Sequence, residues 1–293
     1  MRDKEKIVIY TLVIILLLYI FVPFGFMVLT SFKEERDVMT FPFQFFPKHG
    51  FSMINWNYII FGGKLPPELG YEWAAPGGYL DVQKGLINSL IVATFTVILN
   101  LSISIFAGYS LSRVRGIPKR EGIFVGLLAM KMVPVATIII PLYIIMKEIG
   151  LLNTYLSLIL SFSAVQMPLS VWILRGFFEN LPMEIEESAW IDGASRVQTI
   201  IRIILPLAFP GVGAVAVYSF LGAWGEFFIA LILTSHPDVR PFTVTLSQFA
   251  LEDNMTYSIL CTVGVISVVP SVIIAILFQK LLIQGLTAGA VKR

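Results

Sequence analysis

Six polar side chains lie within stretches that are otherwise apolar over a membrane's thickness: Asn88, Asn100, Lys131, Gln166, Trp224 and Glu226. In hydrocarbon a lysine or a carboxylate is costly unless it meets a partner, a water-filled cavity or a polar solute. These six are therefore the candidates for a passage through the membrane and for contact with what passes. Lys131 and Glu226 each lie about 12 Å from one end of their apolar segments, at a rise of roughly 1.5 Å per residue, and they are expected to pair across the bundle. The competing reading is that each snorkels or bonds its own neighbours. Catalysis within the membrane has no support. The two histidines, His49 and His236, fall outside every apolar segment, and H-E-x-x-H, G-x-S-x-G and G-x-x-x-x-G-K-[ST] do not occur. A single cysteine, Cys261, excludes a disulfide framework or thiolate cluster, so neither a metal site nor a catalytic residue is expected.

A second constellation is acidic. Glu179, Glu184, Glu186, Glu187 and Asp192 lie in or just before residues 186–206, and so many carboxylates must stand in water. Leu181-Pro182 ends one helix and Pro182 can start the next, with Glu184, Glu186 and Glu187 in the first turns, where carboxylates suit the positive end of the helix dipole. Gly193 breaks that helix. Val197, Ile200, Ile201, Ile204 and Leu205 then recur at helical spacing up to Pro206. The expectation is an insert over residues 182–206, made of two short helices around a glycine turn.

The elements that position these residues follow from composition. Hydrophobic residues make up 57% of the 293, and charged residues only 14% against about a quarter in soluble domains. The chain is an all-α polytopic membrane protein. Six segments are long enough to cross about 30 Å of hydrocarbon: 7–29, 86–110, 123–146, 155–178, 208–234 and 257–278. The first exceeds the roughly 7–15 apolar residues of a signal peptide and lacks an A-x-A site, so it is expected to stay as an anchor.

With the N-terminus inside, thirteen of the 21 basic residues fall in the cytoplasm, the short loop SRVRGIPKR among them. The insert and the C-terminal tail, 281–293, are then cytoplasmic. Segment 31–85, a tight turn near Gly150 and a loop over 235–256 are external. Segment 31–85 reads as a loop, rich in proline and glycine, whose aromatic residues suit either the interfacial belt or a sugar face. Pro134, Pro141, Pro168 and Pro270 offer kinks, and Gly211, Gly213 and Gly222 with neighbouring small residues let the fifth span pack closely.

Within the insert, Glu187, Ser188 and Ala189, then Asp192 and Gly193, and finally Ile203, Leu205 and Pro206, resemble the EAA motif (E-A-A, x3, G, x9, I-x-L-P) of permease subunits in prokaryotic ABC importers. Ser188 replaces the first alanine, small for small. Residues 88–113, AWGEFFIAL at 223–231 and GLTAGAVKR at 285–293 are similar to the carbohydrate-uptake branch, most of all to maltose-type permeases. The resemblance covers essentially the whole chain, most weakly at 65–83.

It implies the type I ABC importer permease fold and a multi-pass place in a prokaryotic cell (inner) membrane. It also implies a heteromeric pump: this chain, a second homologous permease, two cytoplasmic ATPase subunits and an external solute-binding protein. The chain would have no cofactor of its own, ATP and Mg being used by the ATPase partners, and nothing points to nucleic acid. The cargo would be a sugar, with glycerol-phosphate or a polyol as the alternative and an ion-coupled secondary transporter further behind. Glu187 would anchor to ATPase polar groups, Ala189 would permit close seating and Gly193 would allow the turn. Gly285, Leu286, Thr287 and Gly289 would reach between the ATPase subunits. In the loop over 235–256, Glu252, Asp253 and Asn254 would enter the docked binding protein's cleft and help displace sugar.

Overall fold

The computed structural model describes residues 3–42, 44–72, 78–114, 119–251 and 256–288. Among these the regular elements are helices: Asp3–Ser31 (α1), Glu35–Val38 (α2), Ile54–Phe61 (α3), Gly78–Arg113 (α4), Arg120–Met130 (α5), Val135–Glu148 (α6), Tyr155–Glu179 (α7), Met183–Ile191 (α8), Arg196–Thr199 (α9), Leu205–Leu207 (α10), Phe209–Trp224 (α11), Phe228–Leu233 (α12), Phe242–Leu251 (α13) and Tyr257–Ala288 (α14). Four of them, α1, α4, α7 and α14, are long and apolar enough to cross a bilayer. Two bent pairs, α5 with α6 and residues 196–207 with α11, also pass together, giving up to six among the described residues if each pair is one span.

The third expected span, 123–146, is not one straight helix. Pro134 has no N–H to continue the ladder and its ring crowds the carbonyl four residues back, so α5 stops at Met130. The chain turns through Lys131–Val133 and α6 leaves at 96°. The fifth, 208–234, also divides: α11 ends at Trp224, Gly225 and Glu226 follow, and α12 begins at Phe228. The sixth continues helically to Ala288, ten residues past its expected end. Loop 235–256 is largely ordered as a 3-10 turn, Pro237–Val239, and α13.

The chain falls into two compact units, residues 1–84 with 245–269, and residues 85–244 with 270–293. In the first unit, the segment expected to be a loop carries a buried polar network instead. Asn55, fully buried, uses all of its amide: Nδ2 donates to the Ser31 and Lys33 carbonyls at 3.1 and 2.7 Å, and Oδ1 accepts from the Tyr71 and Ser258 hydroxyls at 2.7 and 3.2 Å. Burial pushes the Tyr71 phenol up to about 12, keeping it a donor. The Glu35 carboxylate accepts from the Tyr257 and Ser258 amides at 2.9 and 2.8 Å. It thereby caps the first turn of α14 from over two hundred residues away, where the dipole favours an anion. Sequence reading has no local signal for such a cap.

Asp37, buried, accepts from the His49 amide at 3.1 Å and meets His49 Nδ1 at 2.6 Å. Burial pushes its carboxyl up, but the contacts with His49 outweigh that and hold it below the ordinary 3.8. A depressed carboxyl stabilises the fold above the unfolded value and loses that contribution as pH falls through the folded one. The tie between residues 37 and 49 is therefore expected to hold from neutral pH to about 4 and to open only below 3.8. Above about pH 4, Asp37→Asn should weaken it by about 1.5–3 kcal/mol, the range for hydrogen bonds to a charged group, and the difference should vanish once the carboxyl of the unaltered protein is protonated. Limited proteolysis between residues 37 and 49 as a function of pH checks this. Cleavage in the unaltered protein that already rises between pH 7 and 5 would contradict it.

In the second unit α4, α7 and α11 share two apolar clusters. One joins Val92 and Ala93 to Leu158, Phe162, Phe220 and Ile229. The other joins Tyr109 to Leu174, Phe178, Ile204, Ala208 and Val215. Close approach of α11 to α7 depends on Gly211, where a Cβ would stand 2.5 Å from the Phe177 ring. The expectation that small residues on the fifth span allow tight packing is met there.

Candidate functional site

The insert forms where the acidic constellation placed it. Helix α8 runs from Met183 to Ile191 after Pro182. Its end is a glycine stop of the Schellman type: Gly193 N–H donates to the Trp190 carbonyl at 3.1 Å, Ala194 N–H to the Ala189 carbonyl at 2.9 Å, and Gly193 sits at φ +87°. Ser195 then opens α9 with a reciprocal cap, its Oγ accepting from the Gln198 amide while Gln198 Oε1 accepts from the Ser195 amide. The S-x-x-Q signature was available in the sequence.

Beyond Thr199 the helix widens into a π turn over Ile200–Ile204, with Leu205 N–H reaching back to the Ile200 carbonyl. Pro206 supplies a reason, because it removes the next i→i−4 donor and the wider turn absorbs the mismatch. Ile200 and Ile204 point into the apolar cluster around Phe178. Val197 and Ile201, read as part of the same stripe, are exposed instead. With Ile191, which is 86% exposed, they leave apolar surface on the insert.

Two neighbouring acids on α8 have opposite fates. They are set about 100° apart around the helix. Glu187 is exposed, as are Ser188, Asp192, Gly193 and Pro206, while Ile203 and Leu205 are half-buried. Glu186 is fully buried. It accepts from the Tyr109 hydroxyl at 2.6 Å and from Arg113 Nε at 2.7 Å, while Arg113 Nη2 donates to the Leu181 carbonyl at 2.7 Å. A clasp thus binds the insert to the last turns of α4. Ala189, expected to seat against a partner, is buried among this chain's own atoms, so its small size serves packing within the chain. A second ionic link joins α5 to α7, where Arg175 reaches Glu179 and Glu121 at 2.7 Å each.

The six polar residues of the spans separate into distinct groups. Asn88 is a brace: Nδ2 donates to the Asp238 and Arg240 carbonyls and Oδ1 accepts from the Tyr155 hydroxyl, which pins the turn before α13. Trp224 is stacked on Phe220 inside the apolar cluster, ring centroids 5.8 Å apart. Asn100 is fully buried, and neither atom of its amide has a hydrogen-bond partner among the described residues. Lys131, Gln166 and Glu226 come together around one cavity of about 170 Å³, with Val135, Phe162, Val165, Tyr218, Gly222 and Ile229 completing its lining.

The expected Lys131–Glu226 ion pair does not form. Glu226 Oε1 accepts from the Ile229 amide at 3.1 Å, capping α12, and Lys131 Nζ lies 5.7 Å from the centre of the Tyr218 ring. Glu226 is claimed by the start of α12 and Lys131 by the Tyr218 ring on α11, an arrangement that depends on the helix break at Gly225–Glu226. Of the tail residues, Gly285, Leu286 and Thr287 continue α14. Gly289, together with Glu252, Asp253 and Asn254, lies outside the described residues. Among the described residues no group of His, Cys, Asp or Glu is arranged to hold a metal ion.

Residues 103–288 match the model of the family described as binding-protein-dependent transport system inner membrane component. The chain is 37% identical over 208 residues to the trehalose/maltose transport system permease protein MalG of Thermococcus litoralis, covering 71% of this chain and 74% of that one. It is 30% identical over 263 residues to the sulfoquinovosyl glycerol transport system permease protein SmoH of Agrobacterium fabrum, covering 90% and 86%. Among solved structures, it superposes on a chain of a bacterial ABC transporter involved in the import of the acidic polysaccharide alginate. The TM-score is 0.80, at 19% identity over 96% of this chain and 98% of the other. That likeness concerns the fold.

Proposed function

Since the chain belongs to the binding-protein-dependent transport system inner membrane component family, we propose that it is one permease subunit of an ABC importer for a sugar. It forms half of the transmembrane pathway and receives its drive from separate ATPase subunits. The observation that carries the coupling half of this reading is the division of labour on α8. Glu187 and the Gly193 turn are exposed, while Glu186 is locked to Tyr109 and Arg113. A helix gripped by a partner transmits motion only if it is fixed to a span. With the clasp at one end and the π turn leading into α10 and α11 at the other, displacement of the insert as a rigid body reaches two spans at once.

In this reading the N- and C-termini and the insert are cytoplasmic, the basic residues favouring that side. A second permease of similar fold completes the pathway, two ATPases holding ATP and Mg close on the two inserts, and an external binding protein delivers cargo. A solved alginate ABC transporter in complex with a pentasaccharide-bound periplasmic protein superposes on this chain with a TM-score of 0.65, which supports such an assembly. The names of relatives span trehalose/maltose, sulfoquinovosyl glycerol and diacetylchitobiose. All three contain a sugar, and the trehalose/maltose and diacetylchitobiose names favour a di- or oligosaccharide over glycerol-phosphate or a simple polyol.

The chain alone in liposomes is expected to show no ATP hydrolysis and no saturable uptake. Both should appear when the second permease, the ATPase pair and the sugar-loaded binding protein are added. Uptake by the purified chain driven by an ion gradient would replace the proposal with a secondary carrier.

A further inference from the structure

Two broken helices meet at one cavity. Lys131 occupies the turn between α5 and α6, and Glu226 the gap between α11 and α12. Both line the same cavity of about 170 Å³, large enough for several waters or a single sugar ring. Interrupted helices within a membrane are tolerated where the freed backbone lines a cavity, and such breaks are where transporters hold solutes.

The lining constrains what that solute is. Lysine donates hydrogen bonds and accepts none, whereas a carboxylate accepts and does not donate. A phosphate, sulfonate or carboxylate would satisfy Lys131 and confront Glu226, and an ammonium would do the reverse. Hydroxyls serve both ends because each donates and accepts. Tyr218, which Lys131 already overlies, and Phe162 add aromatic surface for the apolar face of a ring. With its amide turned to its better orientation, Gln166 is satisfied by the Ser219 carbonyl and the Ala223 amide. It therefore forms a fixed wall, and Gly222 keeps that wall clear, since a Cβ there would stand 3.0 Å from the Gln166 amide.

We propose that this cavity seats one uncharged, polyhydroxylated ring of the cargo, with Lys131 as donor, Glu226 as acceptor and Tyr218 as stacking surface. The proposal rests on the permease reading and adds two things to it. This chain contacts cargo directly, and opposed charges at the two breaks select against ionised sugars.

The test uses the membrane complex purified in nanodiscs through a tag on this chain, with three rings that differ in charge: glucose, glucuronate and, at pH 6, glucosamine. Saturable binding of glucose is expected, with at least tenfold weaker binding of either charged ring. Glu226→Gln should bring glucuronate to within about threefold of glucose, and Lys131→Met should do the same for glucosamine. Charge-selective rescue of this kind is not a consequence of misfolding. Absence of saturable glucose binding, or an order of preference that neither substitution changes, overturns the proposal. ATP-driven uptake by the same preparations tests the underlying reading separately. Uptake that persists without charge selectivity removes only the cavity's role, while the absence of ATP-driven uptake with all partners present removes the permease reading itself.

Discussion

Glu186→Ala is expected to cost the chain about 3–5 kcal/mol, because it leaves Arg113 charged, nearly enclosed and without its carboxylate. The Glu186 side chain has no exposure and that of Arg113 only 11%, so water cannot take over the lost contact. Tyr109→Phe removes one hydrogen bond to the same carboxylate and should cost about 1.5–3 kcal/mol, the value for a bond to a charged group. The pair Glu186→Ala with Arg113→Met should recover most of the loss, since removing both partners abolishes the stranded charge. The half-life of the detergent-solubilised complex at a fixed elevated temperature is the suitable measure, because large membrane assemblies unfold irreversibly. An unchanged half-life for Glu186→Ala would show that the clasp carries no stability. In the recovered double variant the insert is present but no longer fixed to α4, and uptake per ATP hydrolysed should fall although the complex survives.

How much of this was legible in the sequence depended on the range of the interaction. Apolar runs long enough to span a membrane were readable because the constraint is local and severe, and four of the six expected segments coincide with single long apolar helices. The insert was readable for the same reason in reverse, since five acids cannot stay in lipid. Which of the acids faces a partner was not readable. Glu186 and Glu187 are adjacent, identical in type and separated only by the turn of the helix, and the choice between them is made by Tyr109 and Arg113, more than seventy residues away. An i,i+4 tyrosine and arginine at the end of a span was the available hint. Helix breaks were half legible. Pro134 announced one, yet Gly225 stood within an unbroken apolar pattern, and the failure to see that break made a Lys131–Glu226 ion pair look natural.

Segment 31–85 departs from its expected loop character for a related reason. Prolines and glycines between residues 42 and 78 signal turns, and turns by themselves imply only a loop. Lys33, Glu35, Asp37 and Asn55 each find partners across 11 to 223 residues of chain, and such pairings leave no periodic trace. A polar residue in a segment bounded by proline can be solvated or can be the centre of a network. Only the tertiary arrangement distinguishes the two.

Gly193 is where the proposed coupling is most open to attack by a single change. Its φ of +87° is a conformation that side chains with a Cβ rarely adopt, yet nothing lies within 4 Å of where a Cβ would stand. A substitution there strains the turn without clashing, at about 1–2 kcal/mol. The bonds at stake are the Gly193 and Ala194 amides to the Trp190 and Ala189 carbonyls. Losing them frays the end of α8 while leaving the clasp at Glu186 and the apolar cluster around Ile204 intact. The variants should therefore insert and assemble, with ATP hydrolysis retained and uptake reduced in a graded order. Asn, which tolerates the left-handed region best, should be mildest, Asp intermediate, and β-branched Val the most severe with at least a tenfold loss. Glu187→Ala should reproduce the loss by a different route, removing an exposed contact without disturbing the backbone, and it should weaken retention of the ATPase subunits where the Gly193 series does not. Uptake at the normal rate by the Gly193→Val complex would mean that the turn does not transmit force. Full retention and full uptake in Glu187→Ala would mean that the exposed face of α8 is not what the ATPase grips.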